Sequence, residues 1–194
     1  MTGRYDLILA AEEALARQVA LGVIVTTPQS VWHYLIPFMF IFDFLRRSST
    51  MRRYTQHFMF PRKLAMDAAR DIIEGEGQKE RLSWTEEETR VWLETLNLYS
   101  PSLQTAQMKV VTQLMDHYTR LLQTEGDTYY DLVRNAYMSQ RDYQVFLSQL
   151  KAFEQEVDRA IIERLGETEK LREKLLAEEE QLERMRKKSI DEIF

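Results

Sequence analysis

Residues 27–45 read TPQSVWHYLIPFMFIFDFL, and two arginines follow them directly. The first two residues are a typical helix N-terminus, because Thr27 can cap the first turn and Pro28 gives up an amide that has no partner there. The apolar residues that follow recur at helical spacing around nearly the whole circumference. A helix that is apolar on almost every side must be buried on almost every side. The stretch therefore predicts a central helix of an all-α protein, with a kink at Pro37.

This helix can be buried in three ways: in the protein core, against a partner subunit, or in lipid. Its apolar part, 31–45, would span about 22 Å at 1.5 Å per residue, short of the roughly 30 Å of hydrocarbon in a bilayer. It also contains Pro37 and Asp43. A membrane-spanning segment is therefore not expected. The protein core is the favoured interpretation, and contact with a second subunit or with a membrane surface stays open.

The composition is that of an ordinary soluble protein. The chain has 194 residues, of which 44% are hydrophobic and 29% charged, and its formal net charge of −5 does not point to nucleic acid. Cysteine is absent, which excludes disulfides and thiolate metal sites, and we expect a cytoplasmic protein. Only 6 glycines and 4 prolines interrupt the chain, and alternating strand-like runs are missing.

These patterns predict an all-α fold: an antiparallel helical bundle with an N-terminal helical hairpin and a charged C-terminal helical arm. We expect an N-terminal helical unit over 1–75, a helical bundle over 76–166, and the arm over 167–194. The arm carries leucines and a methionine at heptad-like spacing, with Glu178 where an apolar contact would be expected. We expect it to dock on its own body or on a second chain.

Capping signals predict where helices begin. Ser100 before a proline, and Ser139 three residues before an aspartate, each indicate a helix start. The sequence TEEE predicts a helix that begins at Thr85 after a loop over 75–82. Another helix is expected to begin at Pro61 and to close at Gly75.

The segment after the aromatic helix is strongly basic. The stretch between Phe44 and Met66 contains no acidic residue and six arginines and lysines. We call these six residues the basic patch: Arg46, Arg47, Arg52, Arg53, Arg62 and Lys63. These cations can pair with acidic faces elsewhere in the fold, such as 86–88. Alternatively, with the aromatic residues between them, they can bind the phosphates of anionic lipid or of nucleic acid. The predicted contact residues for a partner or a membrane are Phe38, Phe42, Phe58 and Phe60.

We find no motif that predicts catalysis. The chain has 3 histidines, none in the Glu-x-x-His pattern of a di-iron bundle, and it contains no G-x-S-x-G nucleophile motif. The triplet GEG at 75–77 lacks the lysine and the spacing of a phosphate-binding loop. We therefore predict no catalytic residues, no metal site and no cofactor.

The favoured function is that of a non-enzymatic interaction or assembly protein. It would bind a protein partner or a second copy of itself through its aromatic helix and arm, in the cytoplasm or at an anionic membrane surface. The alternatives are a peripheral membrane protein that uses the basic patch over 46–63, a nucleic-acid-binding protein that uses the same patch, which the net charge disfavours, and an enzyme or apolar-ligand-binding bundle. Ligand binding predicts a closed apolar pocket with convergent polar groups, whereas assembly predicts exposed phenylalanines.

Overall fold

The structure, a computed structural model, describes residues 2–25 and 39–194, with side chains over 3–23 and 51–194 apart from Lys170. The described residues form seven α-helices and no β-strand, which confirms the all-α prediction. The helices are α1 Thr2–Val25, α2 Met39–Ile73, α3 Gln78–Thr95, α4 Pro101–Gln123, α5 Tyr129–Tyr137, α6 Gln140–Leu165 and α7 Glu169–Ile193. The predicted helix start at Thr27 and kink at Pro37 lie outside the described residues.

Helix α2 passes through Pro61 without a break, so the predicted helix start at that proline is wrong. An interior proline removes one backbone hydrogen bond, which local sequence rules treat as a helix end. Packing overrides this preference, because α2 lies against α1, α3 and α4, and Pro61 itself is buried. The helix ends at Ile73, close to the predicted end, and Gly75 follows with a φ of 110° that favours glycine.

Helix α3 begins at Gln78, so the predicted start at Thr85 is wrong. Thr85 lies buried inside the helix, and its hydroxyl donates to the carbonyl of Arg81 at 2.8 Å instead of capping a first turn. Arg81 in turn pairs with Asp71 of α2 at 2.7 Å. This ion pair joins α2 and α3 across a short turn, and residues that were predicted to form a loop become the first turns of α3.

The predicted caps of the two long bundle helices are confirmed. The Ser100 hydroxyl accepts a hydrogen bond from the Leu103 amide at 3.2 Å. Ser139 accepts from the Asp142 amide at 3.1 Å and donates to the Asp142 carboxylate at 2.7 Å. Such caps are predictable because all their atoms lie within four residues of sequence.

Neighbouring helices pack antiparallel. Tyr5 donates to Asp67 at 2.6 Å near one end of the α1 and α2 pair, and Glu12 meets Arg62 further along. Lys109 pairs with Glu156, and Gln113 donates to Gln149 further along, so α4 and α6 also run antiparallel. One core cluster unites residues from all three predicted sequence ranges, among them Ile8, Met66, Leu114, Leu132, Tyr143 and Ile193.

The charged arm, α7, docks on the body of its own chain. It lies against α1, α5 and α6, and Leu182 joins a small apolar cluster with Val19 of α1 and Phe58 of α2. Helices α1 and α7 approach each other closely at Gly22 of α1, where an added Cβ would lie 2.3 Å from the Gln181 side chain of α7. No helix in the described part of the chain combines the length and the apolar character needed to cross a bilayer.

Candidate ligand-binding cavity

A cavity of about 460 Å³ lies between α2, α6 and α7, and residues of α3, α4 and the turn after α3 also line it. Ligand sites in proteins typically enclose about 300–1,000 Å³, so this space can hold a small organic molecule. Much of its wall is apolar and is formed by Phe58, Trp92, Leu98, Val110, Val157, Ile161, Leu175 and Leu182. Phe60 stacks against Trp92 with a distance of 4.7 Å between ring centroids, which fixes the orientation of the indole.

A buried network of ion pairs adjoins the cavity, and its members Arg62, Glu154 and Arg186 line it. Arg62 lies at the centre of the network. Its Nε is 3.0 Å from the Glu12 carboxylate, and its Nη2 is 3.6 Å from the Glu154 carboxylate. Arg186 of α7 binds the same Glu154 oxygen at 2.7 Å. Arg62 and Glu12 are only 5% and 6% exposed. The network ties α1, α2, α6 and α7 together, and each of its charged groups has an opposite charge beside it.

Two polar groups at the cavity lack such partners. Gln107 of α4 is 6% exposed, lines the cavity, and makes no side-chain hydrogen bond with any residue that the structure describes. The Tyr54 hydroxyl is buried beside Glu178 but does not reach it with the geometry of a hydrogen bond. A buried hydroxyl without a partner, such as that of Tyr54, costs about 1–3 kcal/mol, and a bound ligand can remove that cost.

Two carboxyl groups face the cavity without a cation. Asp158 of α6 and Glu178 of α7 form no ion pair with a described residue, whereas the neighbouring Glu179 is held by Lys151 at 3.2 Å. Burial, together with the negative charges of Glu178 and Glu154, raises the pKa of Asp158 to about 7. Burial also raises the pKa of Glu178. The cavity thus holds two carboxyl groups that have no cation in ion-pair contact, and their raised pKa values reflect the cost of ionising them there.

The predicted contact residues that the structure describes face inward. Phe58 is buried in the cavity wall, with the Arg62 guanidinium 3.8 Å from its ring centroid, and Phe60 is half-buried against Trp92. The side chains of Phe38 and Phe42 lie outside the described residues.

The described members of the basic patch fall into one buried residue and three exposed ones. Arg62 is interior and paired, so its assignment to an exposed patch is wrong, and its partners are Glu12 and Glu154 instead of the acidic run at 86–88. The other described members are exposed and form no ion pair with a described residue: Arg52, Arg53 and Lys63. The side chains of Arg46 and Arg47 lie outside the described part of the chain.

The sequence analysis missed Gln107, Asp158 and Glu178 as cavity residues, although each breaks a local pattern. Gln107 occupies the apolar stripe of α4 between Leu103 and Val110, and Glu178 interrupts the heptad seam of α7. Asp158 follows Glu154 by four residues on α6, a spacing at which like charges repel. Each break is a signal, but only the fold shows that the three residues meet at one cavity.

Comparison of the chain with protein-family models, with curated proteins and with solved structures finds no match. Within the described residues, no group of three potential histidine, aspartate or glutamate ligands is arranged to hold a metal ion. His117, which is buried, hydrogen-bonds the Tyr137 hydroxyl through Nδ1 at 2.7 Å and stacks on Phe146.

Proposed function

We propose that this protein binds a small organic ligand with an apolar body in the cavity between α2, α6 and α7. The observation that carries the proposal is Gln107, a residue only 6% exposed that lines the cavity and whose side chain has no hydrogen-bond partner among the described residues. A primary amide can donate two hydrogen bonds and accept two, so a ligand beside it gains specific contacts. The apolar wall supplies the remaining contact surface.

The cavity lining supports binding more than covalent catalysis. Among the described residues that line it, none is a serine, threonine or cysteine. Its lysine, Lys151, is held by the carboxylates of Glu179 and Glu183 and is therefore not a free amine nucleophile. The remaining polar groups are suited to orient a ligand. The geometry thus favours the binding alternative among the functions that the sequence leaves open.

A cavity-filling substitution tests the proposal. The neutral fluorophore N-phenyl-1-naphthylamine is titrated into the wild-type protein and into Ile161→Trp, which places an indole in the cavity. A matched control, Val145→Trp, adds the same side chain at an exposed position on the same helix. We expect saturable binding to the wild type and the control, and at least about a tenfold loss of affinity in Ile161→Trp.

The fold of each variant is checked by circular dichroism and thermal unfolding. Equal affinity in a folded Ile161→Trp protein, or no saturable binding to the wild type, would contradict the proposal. Energy transfer from Trp92 to the bound fluorophore gives a second readout, because this indole lies in the cavity wall.

A second candidate function is attachment to an anionic surface through α2. It is supported by Arg52, Arg53 and Lys63, which are exposed and carry charge that no described residue neutralises. Such cations attract anionic lipid, nucleic acid or an acidic protein surface, and salt weakens the attraction. Self-association through the aromatic helix and the arm stays a further prediction of the sequence.

Flotation with anionic and neutral liposomes at low and high salt tests the second candidate. We expect salt-sensitive binding to anionic vesicles that is lost when the three cations are replaced by alanine. A control with the same loss of charge replaces Arg141, Arg184 and Lys187, which are exposed elsewhere. Equal loss in both variants would show that net charge, and not this face of α2, governs attachment. Light scattering of the same samples measures self-association.

A further inference from the structure

The cavity has a charge preference that follows from its two free carboxyl groups. Asp158 projects from α6 and Glu178 from α7, so they line the cavity from different helices. The cations around them are already engaged: Lys151 by Glu179 and Glu183, and Arg186 by Glu154. None of the described cations forms an ion pair with either group, and the charge of Arg62 offsets that of Glu178 only from a longer distance.

The aromatic residues in the same wall favour the same kind of ligand. Phe58 and Trp92 line the cavity together with the two carboxyls. An aromatic face attracts a cation most strongly when water is excluded, and tryptophan is the strongest such partner. One face of Phe58 carries the Arg62 guanidinium and one face of Trp92 is stacked on Phe60, so each ring has its other face for a bound cation.

Gln107 provides an independent indication that this space receives a ligand. It belongs to α4, is only 6% exposed, and lacks a hydrogen-bond partner among the described residues. It comes from neither of the helices that carry the carboxyls, so its unpaired state is a separate observation. Its carbonyl oxygen can accept a hydrogen bond from an ammonium group, just as the carboxylates can.

We propose that the ligand is an organic cation: an amine whose ammonium group is held by Asp158, Glu178 and the Gln107 carbonyl, and whose apolar body lies against Ile161, Leu175 and Leu182. This inference rests on the proposed function and specifies the chemistry of its ligand. The ammonium group restores charge balance in the cavity, and the hydrocarbon part occupies the apolar wall. A carboxylate of the same size would instead meet these two carboxyl groups and gain no cation as a partner.

The test compares eight-carbon ligands whose head groups are cationic, neutral or anionic at neutral pH. Octylamine, octanol and octanoate are each used to displace N-phenyl-1-naphthylamine from the full-length protein at neutral pH. We expect octylamine to displace the fluorophore at concentrations about tenfold or more below octanol, and octanoate to be the weakest. The double variant Asp158→Asn with Glu178→Gln keeps the shape of the site and removes its charge, so the preference for octylamine over octanol should disappear while octanol binds as before.

A control, Glu163→Gln, removes one exposed carboxylate from α6 and should leave the preference unchanged. Displacement by octylamine and octanol at equal concentrations would overturn the cation proposal and leave ligand binding itself intact. A preference that persists in the double variant would overturn the assignment to Asp158 and Glu178. Failure of the wild type to bind the fluorophore or any of the three compounds would overturn both proposals.

Discussion

Replacing Arg62 by methionine should destabilise the protein far more than replacing an exposed arginine on the same helix. Methionine has a similar length but no charge, so Glu12, which is 6% exposed, would lose its only cation among the described residues. Removing one member of a buried ion pair costs about 3–5 kcal/mol, because the remaining charge stays desolvated and unpaired. For a chain of this size, each kcal/mol corresponds to about 2–4 °C in Tm, so we expect a fall of about 6–20 °C.

The assay is urea unfolding followed by circular dichroism, with thermal melts of the same samples. The matched control is Arg53→Met, since Arg53 is exposed on α2 and makes no ion pair with a described residue. It should change the free energy of unfolding by about 0.5 kcal/mol or less. Equal losses in the two variants would refute the reasoning, because they would place Arg62 in an environment as open as that of Arg53.

A double-mutant cycle separates the unpaired charge from lost packing. In Glu12→Leu with Arg62→Met, no unpaired charge remains between α1 and α2, and apolar replacements of buried ion pairs are often neutral or stabilising. We therefore expect the double variant to be more stable than Arg62→Met alone, with a coupling energy above about 1 kcal/mol. Simple additivity of the two losses would contradict this expectation. Loss of the Arg62 charge should affect Glu154 less than Glu12, because Arg186 still binds the Glu154 carboxylate at 2.7 Å.

Three further predictions concern the pH dependence, the arm and the cavity. Burial, and then the charge of Arg120, lowers the pKa of His117 to about 3, below its usual value near 6.5. The unfolded chain therefore binds the proton more tightly, and the stability from neutral His117 is complete above pH 6.5 and declines as the pH falls toward 3. Thermal melts from pH 7 to 4 should show a smaller loss for His117→Gln than for the wild type, and parallel curves would contradict this. Ile193→Ala in the core should cost about 2–5 kcal/mol in urea unfolding, and a negligible cost would argue that α7 does not dock on this body. Glu178→Leu, which completes the heptad seam of α7, should raise Tm and weaken the preference for octylamine, since Asp158 remains. A lower Tm would argue that the Glu178 carboxyl has a structural partner.

Features that depend on neighbours in sequence were predictable, and features that depend on distant contacts were not. The caps at Ser100 and Ser139 were predicted because a hydroxyl, an amide and a carboxylate within one turn determine them. Thr85 presents the same local pattern, yet α3 begins seven residues earlier, where Arg81 reaches Asp71 on another helix. Pro61 was misjudged for the same reason, since packing on several sides holds α2 together across it.

The same distinction applies to the candidate site. Arg62 was assigned to a basic surface because its neighbours in sequence are basic, but its partners lie 50 and 92 positions away, at Glu12 and Glu154. A charge run therefore predicts exposure only where the fold brings no acid to it. Arg52, Arg53 and Lys63 have no such acid among the described residues and stay exposed.

The contrast between the two sets of buried polar groups is the strongest reason to look for a ligand. Around Arg62, every charge has a partner, as folding requires of polar groups that leave water. At the adjoining cavity, the Gln107 side chain and the partly buried carboxyls of Asp158 and Glu178 have no hydrogen bond or ion pair with a described residue, although Gln107 and Glu178 occupy positions in apolar seams. Departures from local consistency of this kind are expected where a site serves binding at the expense of stability. Because the three departures come from three helices and meet at one cavity, a common ligand explains them together, whereas separate structural causes would have to coincide.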